Sequence, residues 1–267
     1  MRLWLVLAAA TAFGQDSIQV SNRAVDRAVV EQRLESVRKN VADRRATLEE
    51  EFRDAGCDSI TSQKVPQSKL GNLICTLPAE GARTIVVGAH FDLADIGMGA
   101  VDDWSGSSLL PSLYQSLAGA PRKHRFVFVG FAAEEKGLFG SRAYVQQMTK
   151  EERAALRAMV NIECIGMAAA MIWGNRAAPE LTTAYVKVAR SLALAAGSVN
   201  VDKVGDDDSH PFLNARIPVI TFHSTNQRNF GILHSVDDNL KAIDRQQYYD
   251  AYRLISVYLA YLDATLD

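Results

Sequence analysis

The sequence predicts a three-layer α/β domain, with a central mixed, largely parallel sheet flanked by helices, on three observations. Apolar runs such as "TIVVGAH", "HRFVFVGF", "VNIECIGM" and "IPVITFH" have the length and continuity of strands buried on both faces. Helical segments separate them, and strands alternating with helices mark a mainly parallel sheet. The 267 residues are 48% hydrophobic, enough for one sizeable core, and no repeat or low-complexity linker divides them.

Taken in order, "MRLWLVLAAATAFGQDS" sets Arg2 before an apolar run and spaces Ala12 and Gly14 like a cleavage site. The run falls short of the about 20 apolar residues that span a bilayer. Residues 1–14 are therefore expected to be a signal peptide, and residues 15–267 a single catalytic domain, secreted or periplasmic. The charged stretch over residues 21–55 predicts an outer, solvated helix, or two with a kink near Asn40, stopping at Gly56. Strand candidates "SITSQKV", "NLICTLP" and "TIVVGAH" follow. A helix beginning near Ser107 accepts Pro111 in its first turn, where N–H groups lack intrahelical partners. The strand Phe126 to Phe131 precedes a helix from Ser141 to Met148. Thr149 and Glu152 form a capping box for a helix over "KEERAALRAM", which leads into strands in "VNIECIGM" and "AMIWG". Pro179 to Ala196 is a further helix, "IPVITFH" a strand, and Asp244 to Leu262 a long closing helix.

A formal net charge of -2, with no face-sized basic cluster, argues against a nucleic-acid partner. No later segment is apolar enough for a membrane span, so the mature protein is expected to be soluble. Cys57, Cys75 and Cys164 make an odd count. A bridge between Cys57 and Cys75 is possible across the strand pair that brackets "VPQSKLGN", although unbridged cysteines are the preferred reading. Cys164 is expected to be a small core residue inside a strand.

In such sheets functional side chains gather at the carboxyl ends of strands. His90 ends one strand, Glu134 and Glu135 follow a second, Glu163 lies within a third and His223 ends a fourth. Burying a lone carboxylate there costs about several kcal/mol unless a cation compensates. Each residue alone has an ordinary explanation: the first turn of a helix for the two glutamates, a core hydrogen bond for His90, a turn for Asp102 and Asp103, a surface loop for His234. Together, imidazoles and carboxylates at these junctions form the ligand set of a divalent metal, most simply zinc. Asp92, two positions after His90, suits a carboxylate that holds the imidazole in its metal-binding tautomer.

The ordered motifs "GAHFD", "VDDWSG", "FAAEEKGLFGS", "VNIECIGM", "DDDSHPF" and "HSVDDN" resemble the zinc aminopeptidase family, which includes bacterial leucyl aminopeptidases, glutamate carboxypeptidase and, more distantly, glutaminyl cyclase. The resemblance runs from about Asn72 to the C-terminus. It implies two zinc ions, with His90 and Glu163 ligands of the first, Glu135 and His234 of the second, and Asp102 bridging both. It further implies Glu134 as general base, Asp92 as the partner orienting His90, Asp238 near the site, and a cis peptide bond between Asp102 and Asp103. Three positions depart from the family pattern. Glu163 stands where the family has Asp. Ser209 stands at the usual histidine, with His210 one step later. Trp104 replaces a smaller or polar residue, either walling the pocket or packing behind it.

The activity implied is exopeptidase chemistry on a peptide substrate with a free N-terminus. One alternative is a glutaminyl-peptide cyclotransferase with a single zinc, against which Leu233 precedes His234 where the cyclases carry a tryptophan. The other is an exported binding protein without catalysis, against which the complete ligand set counts. Loops "LADIGMGA" and "FHSTNQRNFGI" are expected to set access to the site, and the oligomeric state stays open.

Overall fold

The computed structural model describes residues 18–200 and 205–267, and the backbone of Trp4–Val6. The expected signal peptide, residues 1–14, lies outside the described residues apart from that backbone, which as β1 pairs antiparallel with β2, Gln19–Ser21.

The charged N-terminal stretch forms two helices, α1 (Arg27–Glu35) and α2 (Val41–Asp54). The break falls at Asn40, whose side chain accepts from the backbone N–H groups of Ala42 and Asp43 and so starts the second helix. Neither helix is merely solvated. The first buries Val30, Arg33 and Leu34, and the second Arg44, Leu48, Glu51 and Phe52.

Next come β3 (Ile60–Gln63), β4 (Asn72–Leu77) and β5 (Thr84–His90), then an irregular turn over Ala100–Trp104. Helices α3 (Ser105–Ser107) and α4 (Leu109–Ala118) lead to β6 (Arg125–Phe131), α5 (Phe139–Gln147) and α6 (Lys150–Ala155). The capping box of Thr149 and Glu152 forms as expected. The helix it starts is shorter than predicted, because β7 begins at Leu156 and runs to Ile162. Buried Leu156 and Ala158 pair with Thr84 and Ile85 of β5, and this pairing overrides the helical character of "LRAM". Cys164 lies just beyond β7, at a φ of 51°, rather than inside a strand, though it is buried as expected. The chain closes with β8 (Met171–Trp173), α7 (Pro179–Ser191), β9 (Ser198–Val199), α8 (His210–Asn214), β10 (Val219–His223) and α9 (Arg245–Thr265), capped by Asp244.

Eight strands form one sheet in the order β3-β4-β6-β5-β7-β10-β8-β9. The central run β6-β5-β7-β10 is parallel, while β3, β4 and β8 join antiparallel. Alternation along β5 divides the core. Ile85, Val87 and Ala89 join the large apolar cluster that includes residues of α4, α7 and α9, and Val86 joins a smaller one with Phe131, Val145 and Phe212. The four parallel strands end on the same side of the sheet, and that side carries the polar residues singled out above. No helix among the described residues is long and apolar enough to cross a membrane.

The preferred reading of the cysteines is overturned. Cys57 and Cys75 form a disulfide with a Cα–Cα distance of 6.4 Å, and Cys164 alone is free. Cys57 sits in the turn between α2 and β3, and the β3–β4 ladder brings Cys75 opposite Ile60, within reach of that turn.

Candidate metal centre

His90 ends β5, Glu134 and Glu135 follow β6, and Glu163 follows β7, so strands hydrogen-bonded side by side deliver four of the candidate side chains. Asp102 comes from the turn after β5, and the peptide bond between it and Asp103 is cis, as the resemblance implies. His234 arrives from the loop after β10, at a φ of 56°.

These six side chains converge. His90 Nε2 lies 3.1 Å from Asp102 Oδ1, 3.3 Å from Glu163 Oε1 and 3.9 Å from Glu134 Oε2. His234 Nε2 lies 3.1 Å from Asp102 Oδ2 and 3.2 Å from Glu135 Oε2. Asp102 thus turns one oxygen to each imidazole. Three overlapping groups, His90/Asp102/Glu163, His90/Glu134/Glu135 and Asp102/Glu135/His234, each bring their donor atoms within 4.8 Å of one another. Oxygen and imidazole nitrogen donors at this density suit zinc, and Glu135 Oε1 is buried without a hydrogen-bond partner among the described residues.

The electrostatics point the same way. Burial pushes the Glu134 carboxyl well above its ordinary range, with His90 opposing the shift and Glu163 adding to it. Burial likewise raises Glu163, and takes Glu135 up to about 7 with Asp102 adding to the effect. Burial disfavours an ionised Asp102, yet hydrogen bonds from His234 and His90 outweigh it and hold Asp102 below the usual carboxylate range. The bond to Asp102 raises His234 to about 9. Crowded acids that retain protons and imidazoles that gain them describe a site with excess negative charge, the condition that a bound dication reverses.

Asp92, expected to orient His90, makes its hydrogen bonds elsewhere. It faces His90 Nδ1 at 3.5 Å, a long contact, but its two oxygens accept the backbone N–H groups of Glu134 at 3.0 Å and Glu135 at 3.3 Å. Asp238 plays the matching part on the other side, accepting from Val101 N at 2.7 Å and Asp102 N at 3.4 Å. Asp103, a plain turn residue on sequence grounds, accepts from Gly106 N and Cys164 N, each at 3.0 Å, and so ties the Asp102 turn to the end of β7.

Other candidates are not among the clustered donors. Trp104 is fully buried and donates from Nε1 to Arg33 O at 3.1 Å, so it packs behind the site. His210 pairs with Asp206 at 2.7 Å and is not among the clustered ligands. Ser209 bonds to Asp207. Burial lowers His223 to about 4, and its Nδ1 accepts from Thr225 N at 3.1 Å. Sequence reasoning misses Asp208, fully buried with Ser141, His90 and Glu163 acting on it; the run of three aspartates before "SHPF" is its signal. It also misses Arg44, on the buried stripe of α2. A cleft of about 630 Å³ opens over the cluster, lined also by Arg142, Trp173, His223, Thr225, Phe230 and Leu233.

Comparison with known proteins places this geometry. The leucine aminopeptidase 1 of Metarhizium robertsii is 31% identical over 133 residues, 45% of this chain and 34% of that protein, so this chain spans about a third of that relative's length. Among solved structures, the Legionella pneumophila LapA aminopeptidase superposes with a TM-score of 0.76 at 19% identity, covering 91% of this chain and 73% of that one. A Bacillus subtilis zinc aminopeptidase gives 0.64 at 21% identity, over 70% of this chain and 48% of its own. A Fimbriiglobus ruber glutaminyl cyclase gives 0.72 at 18% identity, over 91% and 98%. At such identities the structures share the fold, and both kinds of enzyme share it. Residues 72–259 match the profile of peptidase family M28, a span holding all six clustered side chains, and the chain belongs to that family.

Proposed function

We propose that this chain is an exported zinc aminopeptidase that releases the N-terminal residue of a peptide. The observation that carries the reading is the pair of donor groups sharing Asp102, with Glu134 beside them. His90, Asp102 and Glu163 would hold one zinc ion, and Asp102, Glu135 and His234 a second. Zinc so held supplies Lewis acidity toward the scissile carbonyl and an acidified water. Glu134, held at its backbone by Asp92 and turning Oε2 toward His90, takes the proton of the attacking water and returns it to the departing amine. Carboxylates lining the cleft suit a free α-ammonium group, and Trp173, Phe230 and Leu233 suit an apolar side chain. The disulfide supports export, since such bridges form and persist in oxidising compartments.

A glutaminyl cyclase reading has one point in its favour, the near-complete overlap in length with the F. ruber enzyme. A peptide-library digest with zinc analysis of the same sample separates the readings. Aminopeptidase action predicts free N-terminal residues and about two zinc ions per chain. Cyclisation of N-terminal glutamine peptides without hydrolysis, at one zinc per chain, would instead select the cyclase.

A further inference from the structure

Arg44 belongs to α2, outside the span of the family match, and its side chain is fully buried. All five of its N–H groups go to backbone carbonyls. Nε donates to Arg38 O at 2.8 Å, Nη1 to Phe91 O at 3.2 Å and Asp92 O at 3.0 Å, and Nη2 to Met98 O at 2.8 Å and to Gly99 O. Four of these acceptors lie in the loop that leaves His90 and returns at the Asp102 turn. The guanidinium therefore clasps both ends of that loop, Phe91 and Asp92 at its start, Met98 and Gly99 at its finish. The fit leaves no slack: Gly99 has a φ of 58°, and a Cβ there would stand 2.9 Å from Arg44 Nη2. The ring of Trp104 covers the guanidinium at 5.5 Å.

Among the described residues no carboxylate pairs directly with this cation. Asp238, Asp103, Asp92 and Asp102 act on it through space, all of them lining or bracing the metal cluster. A buried charge is costly, and here five carbonyl acceptors and the field of these four carboxylates offset that cost.

We infer that Arg44 is a positioning residue for the metal centre: through it the N-terminal helix α2 sets the placement of Asp102 relative to His90 and returns positive charge to a carboxylate-rich site. This rests on reading the cluster as a zinc centre. A guanidinium is suited to the task because its planar fork presents donors in fixed directions, which an ammonium does not.

The test measures zinc affinity of the full chain by competition with a chromophoric chelator, beside thermal unfolding of the zinc-free protein. Arg44→Met keeps the stem and loses charge and donors, while Arg44→Lys keeps the charge but exchanges the five-donor planar fork for an ammonium with three donors. Leu48→Ala, one turn along the same helix, loosens α2 at its contact over Gly130 and is the control for helix docking. Arg44→Met is expected to weaken zinc binding roughly ten- to a hundredfold, the range for partners that hold ligands in place, and Arg44→Lys roughly threefold or more. Leu48→Ala is expected to lower the unfolding temperature with zinc affinity unchanged. Parent-like zinc affinity in the Arg44 variants overturns the inference, and so does an equal loss in Leu48→Ala. If Arg44→Met fails to fold, Arg44→Lys decides by the same criterion. A parent chain that takes up no zinc sinks the zinc reading itself, which distinguishes that failure from this one.

Discussion

The two donor groups that share Asp102 are built in different ways. His90 and Glu163 stand at the ends of adjacent parallel strands, and the His90 side chain has no exposed surface. Glu135 lies further past its strand, in the turn after β6 that Asp92 braces, and His234 comes from a loop with its side chain 59% exposed. A ligand at a strand end inherits its position from the hydrogen-bond ladder and the packed core beneath it. A ligand beyond the ladder holds its place through separate contacts, here Asp92 on the Glu135 backbone and the close approach of Gly97 to Ser235 and Asp238 beside His234. Equivalent donors on unlike supports should give one tightly held ion and one that exchanges readily.

Exchanging the imidazoles tests this most severely. His90→Ala should lose both ions and all detectable turnover, since it strips the buried half and leaves its carboxylates facing one another. His234→Ala should retain one zinc and an unfolding temperature near that of the parent. Zinc analysis after gel filtration reads the outcome, and the reverse ranking would break the comparison.

Glu134 lies at the seam. Glu134→Gln keeps the shape and should keep both ions while turnover on aminoacyl substrates falls about 10²–10⁴-fold, the usual contribution of a general base. Steady-state kinetics on metal-quantified enzyme checks it, and near-parent turnover would remove Glu134 from that role.

The remaining two predictions probe regions away from the cluster. Replacing both Cys57 and Cys75 by Ser opens a bridge of sequence separation 18 and should cost about 3 kcal/mol in chemical denaturation without changing zinc content. The smallest effect concerns Glu51, a carboxyl buried in α2 with no metal partner. Burial, outweighing the Ser36 hydrogen bond and the charge of Arg33, takes it from 4.5 up to about 8. Between those values the folded chain keeps a proton that the unfolded chain has released, so stability falls as pH rises through the window and levels off above it. Glu51→Gln should flatten that slope, raising the unfolding temperature more at pH 8 than at pH 5. An unchanged slope would mean that burial alone does not trap a proton here, and would weaken the contrast with the clustered acids.

Much of the site is legible in the order of the residues. His90, Glu134, Glu135 and Glu163 are polar residues abutting apolar strand runs, and each motif keeps its family order, so their gathering at one sheet end follows from strand polarity. Asp102 and His234 are legible only through the motif resemblance, because nothing in a loop's periodicity says where it points. Arg44 reads as solvated, as arginines on charged helices mostly are. A signal exists, since Arg44, Leu48, Glu51 and Phe52 recur at helical spacing and the two apolar members mark the stripe as buried. The "LRAM" segment misleads in the opposite sense, its local preference yielding to a sheet that only the neighbouring strands could offer.

By itself the sequence determined the alternation of strands and helices, the break at Asn40, the capping of α6 and the identity of the clustered acids and imidazoles. These depend on interactions within a few residues or on side-chain chemistry that no fold alters. The tertiary structure decided that Cys57 meets Cys75, that Asp92 braces the Glu134–Glu135 backbone, and that α2 reaches across to clasp the loop between His90 and Asp102. Those contacts join chain positions whose separation carries no periodic mark, and only the packed sheet, with its polar groups obliged to find partners, brings them within a hydrogen bond's length.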